Sequence, residues 1–208
     1  IKYELFDMRE RVSLASGLLE QIGEADSRLS HRCRGADGQD ATLQRTGAVA
    51  DHQEGIARIS ALLDEQQLVR SADELFGIGH RVAHGGAAFM EPTRIDRDVI
   101  ATIHKLSPLA PLHNPPIATG IEVAMASFPE VPQVAVFDTS FHQSIPPHAY
   151  HYAIPWEVYE EFHVRRYGFH GTSHLYVAKR AAAYLERPLS SLNLITLHLG
   201  PGASASAI

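Results

Sequence analysis

The sequence predicts an α/β fold, on three observations. Short apolar runs suited to strands alternate with longer stretches in which apolar residues recur every three or four positions. One of the runs, Val134-Ala135-Val136-Phe137, is apolar without interruption, the pattern of a parallel strand buried on both faces. The chain has 208 residues, 45% of them hydrophobic, enough for one large domain or two small ones with real cores.

Taken in order, Ile1 to Met8 is rich in aliphatic and aromatic residues and reads as a strand. From Arg9 to Ala50 the pattern weakens into polar, glycine-containing sequence, including Cys33-Arg34-Gly35-Ala36-Asp37-Gly38, and predicts hairpins and surface loops. Ile56, Ile59, Leu62 and Leu63 then recur at helical spacing, giving an amphipathic helix from about His52 to Val69. Gly77 to Gly86 reads as a short strand running into a Gly-Gly turn, and Asp96 to Leu106 as a helix. The four prolines between Ser107 and Pro116 predict a stiff, extended loop that fixes His113 and Asn114. A helix follows at once, with Ile117, Ile121, Ala124 and Phe128 on one face and Pro115 and Pro116 in its first turn. Pro155-Trp156 opens a short helix, Leu175, Ala178, Ala182 and Leu185 line another, and Asn193 to Leu199 is a last strand that turns at Gly200-Pro201-Gly202.

Eighteen basic against twenty-four acidic residues leave a net charge of −6, without blocks of one sign. That argues against nucleic acid or an anionic membrane as partner and for small molecules. Cys33 is the sole cysteine, which excludes an internal disulfide and a cysteine-rich zinc site and suits a reducing compartment. No stretch has the pattern of a signal peptide or of a membrane span, so a cytoplasmic location is expected.

The chemistry concentrates in a few places. Tyr167-Gly168-Phe169-His170-Gly171-Thr172-Ser173-His174 is a glycine-hinged turn before a helix, and it offers backbone N–H groups and imidazoles to an anion. The plain alternative is a helix start capped by Thr172 or Ser173, with the histidines at the surface. His170 and His174, four apart, also have the spacing of a metal pair that lacks a third ligand. Arg81, among histidines and apolar residues, needs an anion, either a ligand or a carboxylate of the protein itself. Asp138 ends a strand, where a carboxylate holds a metal at the sheet's binding edge or caps a helix. Asp138-Thr139-Ser140 also has the look of an aspartic protease triplet, of which a homodimer would supply the second copy. The glycines at 200 and 202 beside small hydroxyl residues form a plausible phosphate cradle.

Arg81, His113, Asp138 and His170 suit phosphoryl transfer to an anionic acceptor. A carboxylate acceptor is already ionised at neutral pH and needs no base; what it needs is relief from repulsion by the phosphate. His80-Arg81-Val82-Ala83-His84-Gly85-Gly86, Pro111-Leu112-His113-Asn114-Pro115-Pro116, Val136-Phe137-Asp138-Thr139, Tyr167 to His174 and His198-Leu199-Gly200 together resemble the acetate kinase family, over the whole of Ile1 to Ile208. The resemblance implies an actin-like (ribonuclease H-like) ATPase fold of two α/β lobes, residues 1–140 forming an acyl-binding lobe and 141–208 the start of a truncated nucleotide-binding lobe. It implies an enzyme that makes acetyl phosphate reversibly from acetate and ATP with Mg²⁺, in a homodimer. By position, Arg81 would bind the carboxylate and phosphoryl groups, and His113 and His170 would stabilise the transferring phosphoryl group. Asp138 would position Mg²⁺ indirectly, Ala83, Leu112 and Phe169 would line the methyl pocket, and His198, Gly200 and Gly202 would meet the nucleotide phosphates.

The chain departs from the family's pattern in four respects. The opening strand and the Asn-x-Gly-Ser-Ser-Ser phosphate loop are absent ahead of Lys2. Pro201 replaces the asparagine of His-Leu-Gly-Asn-Gly, removing an amide side chain and an N–H from the phosphate turn. Most of the second lobe lies beyond Ile208, so a truncated, non-catalytic module that binds carboxylate or phosphate, or dimerises, is the competing reading. Ala83 stands where the family often has valine, which predicts a wider pocket that accepts propionate.

Overall fold

The computed structural model describes residues 1–34 and 40–208, which divide into two compact units. The first comprises Ile1–Phe76 and Thr119–Val131, the second Gly77–Ala118 and Pro132–Ile208.

In the first unit, β1 (Lys2–Asp7), β2 (Val12–Glu20), β3 (Arg28–Arg34) and β4 (Asp40–Thr46) form one antiparallel sheet in sequence order. β1 is the predicted strand. The hairpins expected after it are present, but they carry more strand than loop, and β2 alone takes nine residues. Sequence hid this because the buried side of β3 is Leu29, His31 and Cys33, with Arg28, Arg32 and Arg34 outside. The period of two is intact, yet a histidine occupies an inward position, held by a 2.6 Å bond between its Nδ1 and the Tyr3 hydroxyl. The turn predicted around Gly35 to Gly38 lies outside the described residues.

Helix α1 (His52–Glu65) starts where predicted. Asp51 Oδ1 accepts from the Glu54 N–H at 2.8 Å while Glu54 Oε2 accepts from the Ala50 N–H at 2.7 Å, a reciprocal cap. The helix stops short of Val69 because Gln67 takes a φ of 56° and the Leu68 and Val69 amides turn back to the Leu63 carbonyl. Its Ile59 and Leu62 pack with Leu19, Leu29 and Val49 to form the core of this unit.

In the second unit β5 (Ile78–Val82) runs parallel to β7 (Gln133–Phe137), and the two-residue β6 (Thr93–Arg94) pairs with the other edge of β7. The uninterrupted apolar run is therefore the central strand of its sheet. Gly85, after β5, meets Phe137 so closely that an added Cβ would lie 2.9 Å from its ring. Helix α2 (Arg97–Lys105) is capped by Asp96, whose Oδ1 accepts from the Val99 N–H at 2.9 Å.

The proline-rich segment is not the extended loop expected. Ser107–Leu109 forms a 3₁₀ turn, and Asn114 opens α3 (Asn114–Ser127) with Pro115 and Pro116 in its first turn. Proline φ is also the φ of a first helical turn, and three of the four prolines sit in one. Ile121 and Ala124 of α3 are buried, as the predicted face requires. The chain continues through α4 (Pro147–Tyr150), α5 (Trp156–Phe162) and α6 (Gly171–Tyr184) to the antiparallel ribbon β8 (Ile195–Leu199) and β9 (Ala203–Ala207). Among the described residues no helix is long and apolar enough to cross a membrane.

Leu62 is fully buried at the centre of the first unit's core. Leu62→Ala should cost about 2–5 kcal/mol of stability in urea denaturation. A loss under ~1 kcal/mol would show that α1 is not held by this cluster.

Candidate active site

The C-terminal end of β7 organises the candidate site. Asp138 there is almost wholly buried, and its backbone N–H donates to the Val82 carbonyl at 2.9 Å. Its own carbonyl accepts from the Gly171 N–H at 2.9 Å, which fixes the start of α6 against β7. Its carboxylate accepts from Arg81 Nε at 2.9 Å and Nη2 at 2.7 Å, a two-pronged pair. Arg81 therefore takes the carboxylate partner that sequence analysis held as the alternative to a ligand, and Asp138 caps no helix. The setting also differs from expectation: the Arg81 side chain is 67% exposed and the Asp138 side chain 5%. The fork uses two of five guanidinium N–H groups and leaves three for another anion. Hydrogen bonding to Asp138 raises the already high pKa of Arg81.

Thr139 is buried, its Oγ1 accepting from the Gly85 N–H at 3.0 Å, and the Ser140 hydroxyl donates to the Phe137 carbonyl at 2.9 Å. The triplet is thus a turn-forming device. Its carboxylate is engaged by a guanidinium, not by the second carboxyl that an aspartic protease requires.

The glycine-hinged turn has two left-handed residues, Gly168 at φ 76° and His170 at φ 57°. A Cβ on Gly168 would run into the His142 ring, and one on Gly171 into the Asp138 carbonyl oxygen, so both positions demand glycine. His170 itself is the N-cap of α6 and makes no side-chain cap bond, so the plain alternative of a helix start capped by Thr172 or Ser173 does not hold. Its Nδ1 bonds Ser204 Oγ at 2.8 Å, and its ring stacks on His198 with centroids 4.0 Å apart and planes at 16°. His198 Nδ1 in turn bonds Ser173 Oγ at 3.0 Å. A Cβ on Gly202 would stand 3.3 Å from His170 Nε2, so that edge of the ring faces the glycine turn.

One helical turn further on, His174 is buried, with Nδ1 bonded to Thr196 Oγ1 at 2.7 Å and Nε2 to Ser204 Oγ at 2.9 Å. His170 and His174 therefore share a serine hydroxyl instead of a metal. Among the described residues there is no group of three or more His, Cys, Asp or Glu side chains placed to hold an ion. Burial lowers the pKa of His170, and the neighbouring His198 lowers it further. His174 is lowered chiefly by burial and then by His142 and His170.

On the other side, half-buried Ala83 continues β5 into His84. The His84 N–H donates to Asn114 Oδ1 at 3.1 Å, its carbonyl accepts from Asn114 Nδ2 at 3.0 Å, and its Nδ1 accepts from the Gly86 N–H at 3.0 Å. Its ring lies edge-on to Tyr167 and Phe169, at 4.5 and 5.7 Å between centroids. Phe169 is partly exposed and its carbonyl accepts from His142 Nε2 at 2.9 Å. Leu112 and His113 are exposed on the turn into α3, next to Asn114, whose side-chain amide is bonded to the His84 backbone.

The structure thus brings together Arg81, Asp138, His170, His198 and Gly202, and links Ala83 to Phe169 through His84. It leaves Leu112 and His113 toward solvent, and Gly200 donates its N–H within its own turn, to the Gly202 carbonyl at 3.1 Å. Sequence reasoning did not single out Asn114 as the clamp on His84, nor Ser204 as a bridge between two histidines. The i, i+4 spacing of His170 and His174 was the available signal for the latter; its partner, thirty residues on, was not.

The acetokinase family model matches residues 1–208, the whole of this chain. The chain is 49% identical over 208 residues to acetate kinase of Streptomyces coelicolor, covering all of this chain and 50% of that protein. It is 50% identical to acetate kinase of Streptomyces avermitilis, covering 51% of it. Among solved structures it is similar to Porphyromonas gingivalis acetate kinase, with a TM-score of 0.89, 37% identity and coverage of 100% of this chain and 51% of that one. A propionate kinase from Francisella tularensis matches with a TM-score of 0.88, 35% identity and the same coverage. The chain therefore spans about half the length of these relatives. Its fold is the actin-like α/β fold anticipated from sequence, with the second lobe present only in part.

The buried histidines make a testable claim about acid stability. Burial pushes the His84 pKa down from 6.5 to about 4, and it also lowers His80, His170 and His174. Between these two pH values the unfolded chain binds a proton at His84 that the folded chain refuses, so stability is fully present above pH 6.5 and falls on acidification toward pH 4. The His84 share should be about 1–3 kcal/mol, read as a drop in the urea midpoint across that window. His84→Gln should flatten the slope, and an unchanged slope would assign it to the other histidines.

Proposed function

This chain belongs to the acetokinase family, and on that premise we propose that its site serves reversible, Mg²⁺-dependent phosphoryl transfer from ATP to acetate, giving acetyl phosphate and ADP. The observation that carries the reading is the Arg81–Asp138 fork beside the His170–His198 stack. A permanent cation with three unused donors stands next to a ring whose Nε2 edge faces a glycine turn. Such a site holds two anions against their mutual repulsion and supplies no base, which suits a carboxylate acceptor that is ionised before it binds.

In this reading Arg81 binds the acetate carboxylate and the transferring phosphoryl group through the guanidinium protons that Asp138 does not use. His170, and His113 once its turn closes on the ligand, donate to the phosphoryl oxygens as charge spreads over them. Ala83, Leu112 and Phe169 enclose the methyl group, and His198, Gly200 and Gly202 lie at the nucleotide phosphates. Both oxygens of Asp138 already accept from Arg81, and with the lone pairs the fork leaves the carboxylate would hold Mg²⁺ indirectly, through the ion's waters. When bound, the ion would neutralise charge on the phosphates. Residues 1–140 would form the acyl-binding lobe and residues 141–208 the start of the nucleotide-binding lobe, in a cytoplasmic homodimer.

One observation favours a second reading: in the phosphate turn Pro201 has no N–H, while that of Gly200 is spent on the Gly202 carbonyl. A non-catalytic module that binds carboxylate or phosphate, or dimerises, accommodates it.

A hydroxamate assay for acetyl phosphate, run with acetate and Mg-ATP on this chain, separates the two. Turnover that falls at least ~100-fold in Arg81→Ala is the expected result for the kinase. A folded chain that binds acetate without turnover would favour the module. With turnover in hand, Ala83→Val should shift the ratio of kcat/KM for acetate over propionate toward acetate by roughly fourfold, the worth of about one buried CH₂.

A further inference from the structure

We propose that Thr196, His174 and Ser204 form a hydroxyl–imidazole relay that fixes the neutral tautomer of His170, with its hydrogen on Nε2 toward the Gly200–Gly202 turn. His174 and Ser204 are then positioning residues. The inference takes its functional meaning from the phosphoryl-transfer reading, but its geometry stands apart from it.

Ser204 Oγ lies 2.8 Å from His170 Nδ1 and 2.9 Å from His174 Nε2. A hydroxyl carries one hydrogen, so it donates to only one of these rings and must accept from the other. Two polarities satisfy that rule. In the first, the Thr196 hydroxyl donates to His174 Nδ1, His174 Nε2–H donates to Ser204, and Ser204 donates to His170 Nδ1. The His170 hydrogen is thereby placed on Nε2.

In the second polarity every bond is reversed. His174 Nδ1–H then donates to Thr196 Oγ1, and the Thr196 hydroxyl hydrogen must find another acceptor. Thr196 is 5% exposed, and among the described residues its hydroxyl has His174 as its hydrogen-bond partner and no other. A buried hydroxyl hydrogen without an acceptor is disfavoured, so Thr196 selects the first polarity. A third arrangement, with both rings donating to Ser204, leaves the serine hydrogen no acceptor among its two described partners. Burial lowers the pKa of both rings, which keeps them neutral and makes the tautomer a real choice.

The consequence lies at the cleft. A Cβ on Gly202 would stand 3.3 Å from His170 Nε2, so this is the atom presented to whatever occupies the turn. With the hydrogen there, the ring donates to an anionic oxygen without first being protonated. In the reverse polarity it would present a lone pair to that oxygen and repel it.

The test is long-range ¹H–¹⁵N spectroscopy of this chain labelled at histidine, near pH 7.5. The relay requires Nδ1 of both His170 and His174 to be unprotonated and Nε2 of both to carry hydrogen, each at the limiting shift of a single tautomer. Ser204→Ala should move the His170 nitrogens toward the averaged shifts of an unconstrained imidazole, and Ser204→Thr, which keeps the hydroxyl, should restore them. A protonated Nδ1 on His170 in the unaltered chain overturns the relay without recourse to any variant, as do unmoved His170 nitrogens in folded Ser204→Ala. Correct tautomers in a folded chain that forms no acetyl phosphate would overturn the kinase reading and leave the relay standing.

Discussion

The buried carboxylate of Asp138 is the constraint on which the rest of the site depends. A desolvated carboxylate must be matched by donors, and here one residue ties together two other segments of chain through three of its groups. Its amide reaches β5, its carbonyl holds the first amide of α6, and its side chain takes the guanidinium fork of Arg81. The position of the exposed cation and that of the histidine turn therefore follow from one residue at the end of one strand. Gly171 is the corollary: α6 approaches so near to β7 that a side chain at its first position has nowhere to go.

What sequence made legible is what local periodicity encodes. The central strand of Val134 to Phe137, the helices beginning near His52 and Asp96 and the buried face of α3 are all local patterns, and all are present. β3 was obscured because His31 takes an inward position, and a polar inward residue erases the alternation that marks a strand. The proline segment misled for a different reason: the same fixed φ serves an extended loop and the opening of a helix, and only tertiary packing decides between them.

The site divides along the same line. Arg81, Asp138, His170 and His198 stand out by residue type and by motif, and the structure gathers them. What the motif does not carry is the partner of each group. That Arg81 answers to Asp138 across fifty-seven positions, or that His84 is clamped by Asn114 across thirty, depends on sheet topology and helix placement. Polar side chains here do the work usually assigned to an apolar core: His84, Asn114, Thr139 and His174 are all buried and all hydrogen-bonded. Such a core tolerates less substitution than a greasy one, since each member is satisfied by specific atoms rather than by volume.

The face-to-face pairing of His170 and His198 bears on how the cleft meets changes in acidity. Burial and the facing His198 ring, with centroids 4.0 Å apart, both lower the pKa of His170, so that ring resists taking up a charge. The attraction of this cleft for anions then comes from the guanidinium, which does not titrate in the biological range. A site built this way draws its electrostatic pull from a charge that acidification does not change, and the His170 ring contributes direction instead of charge.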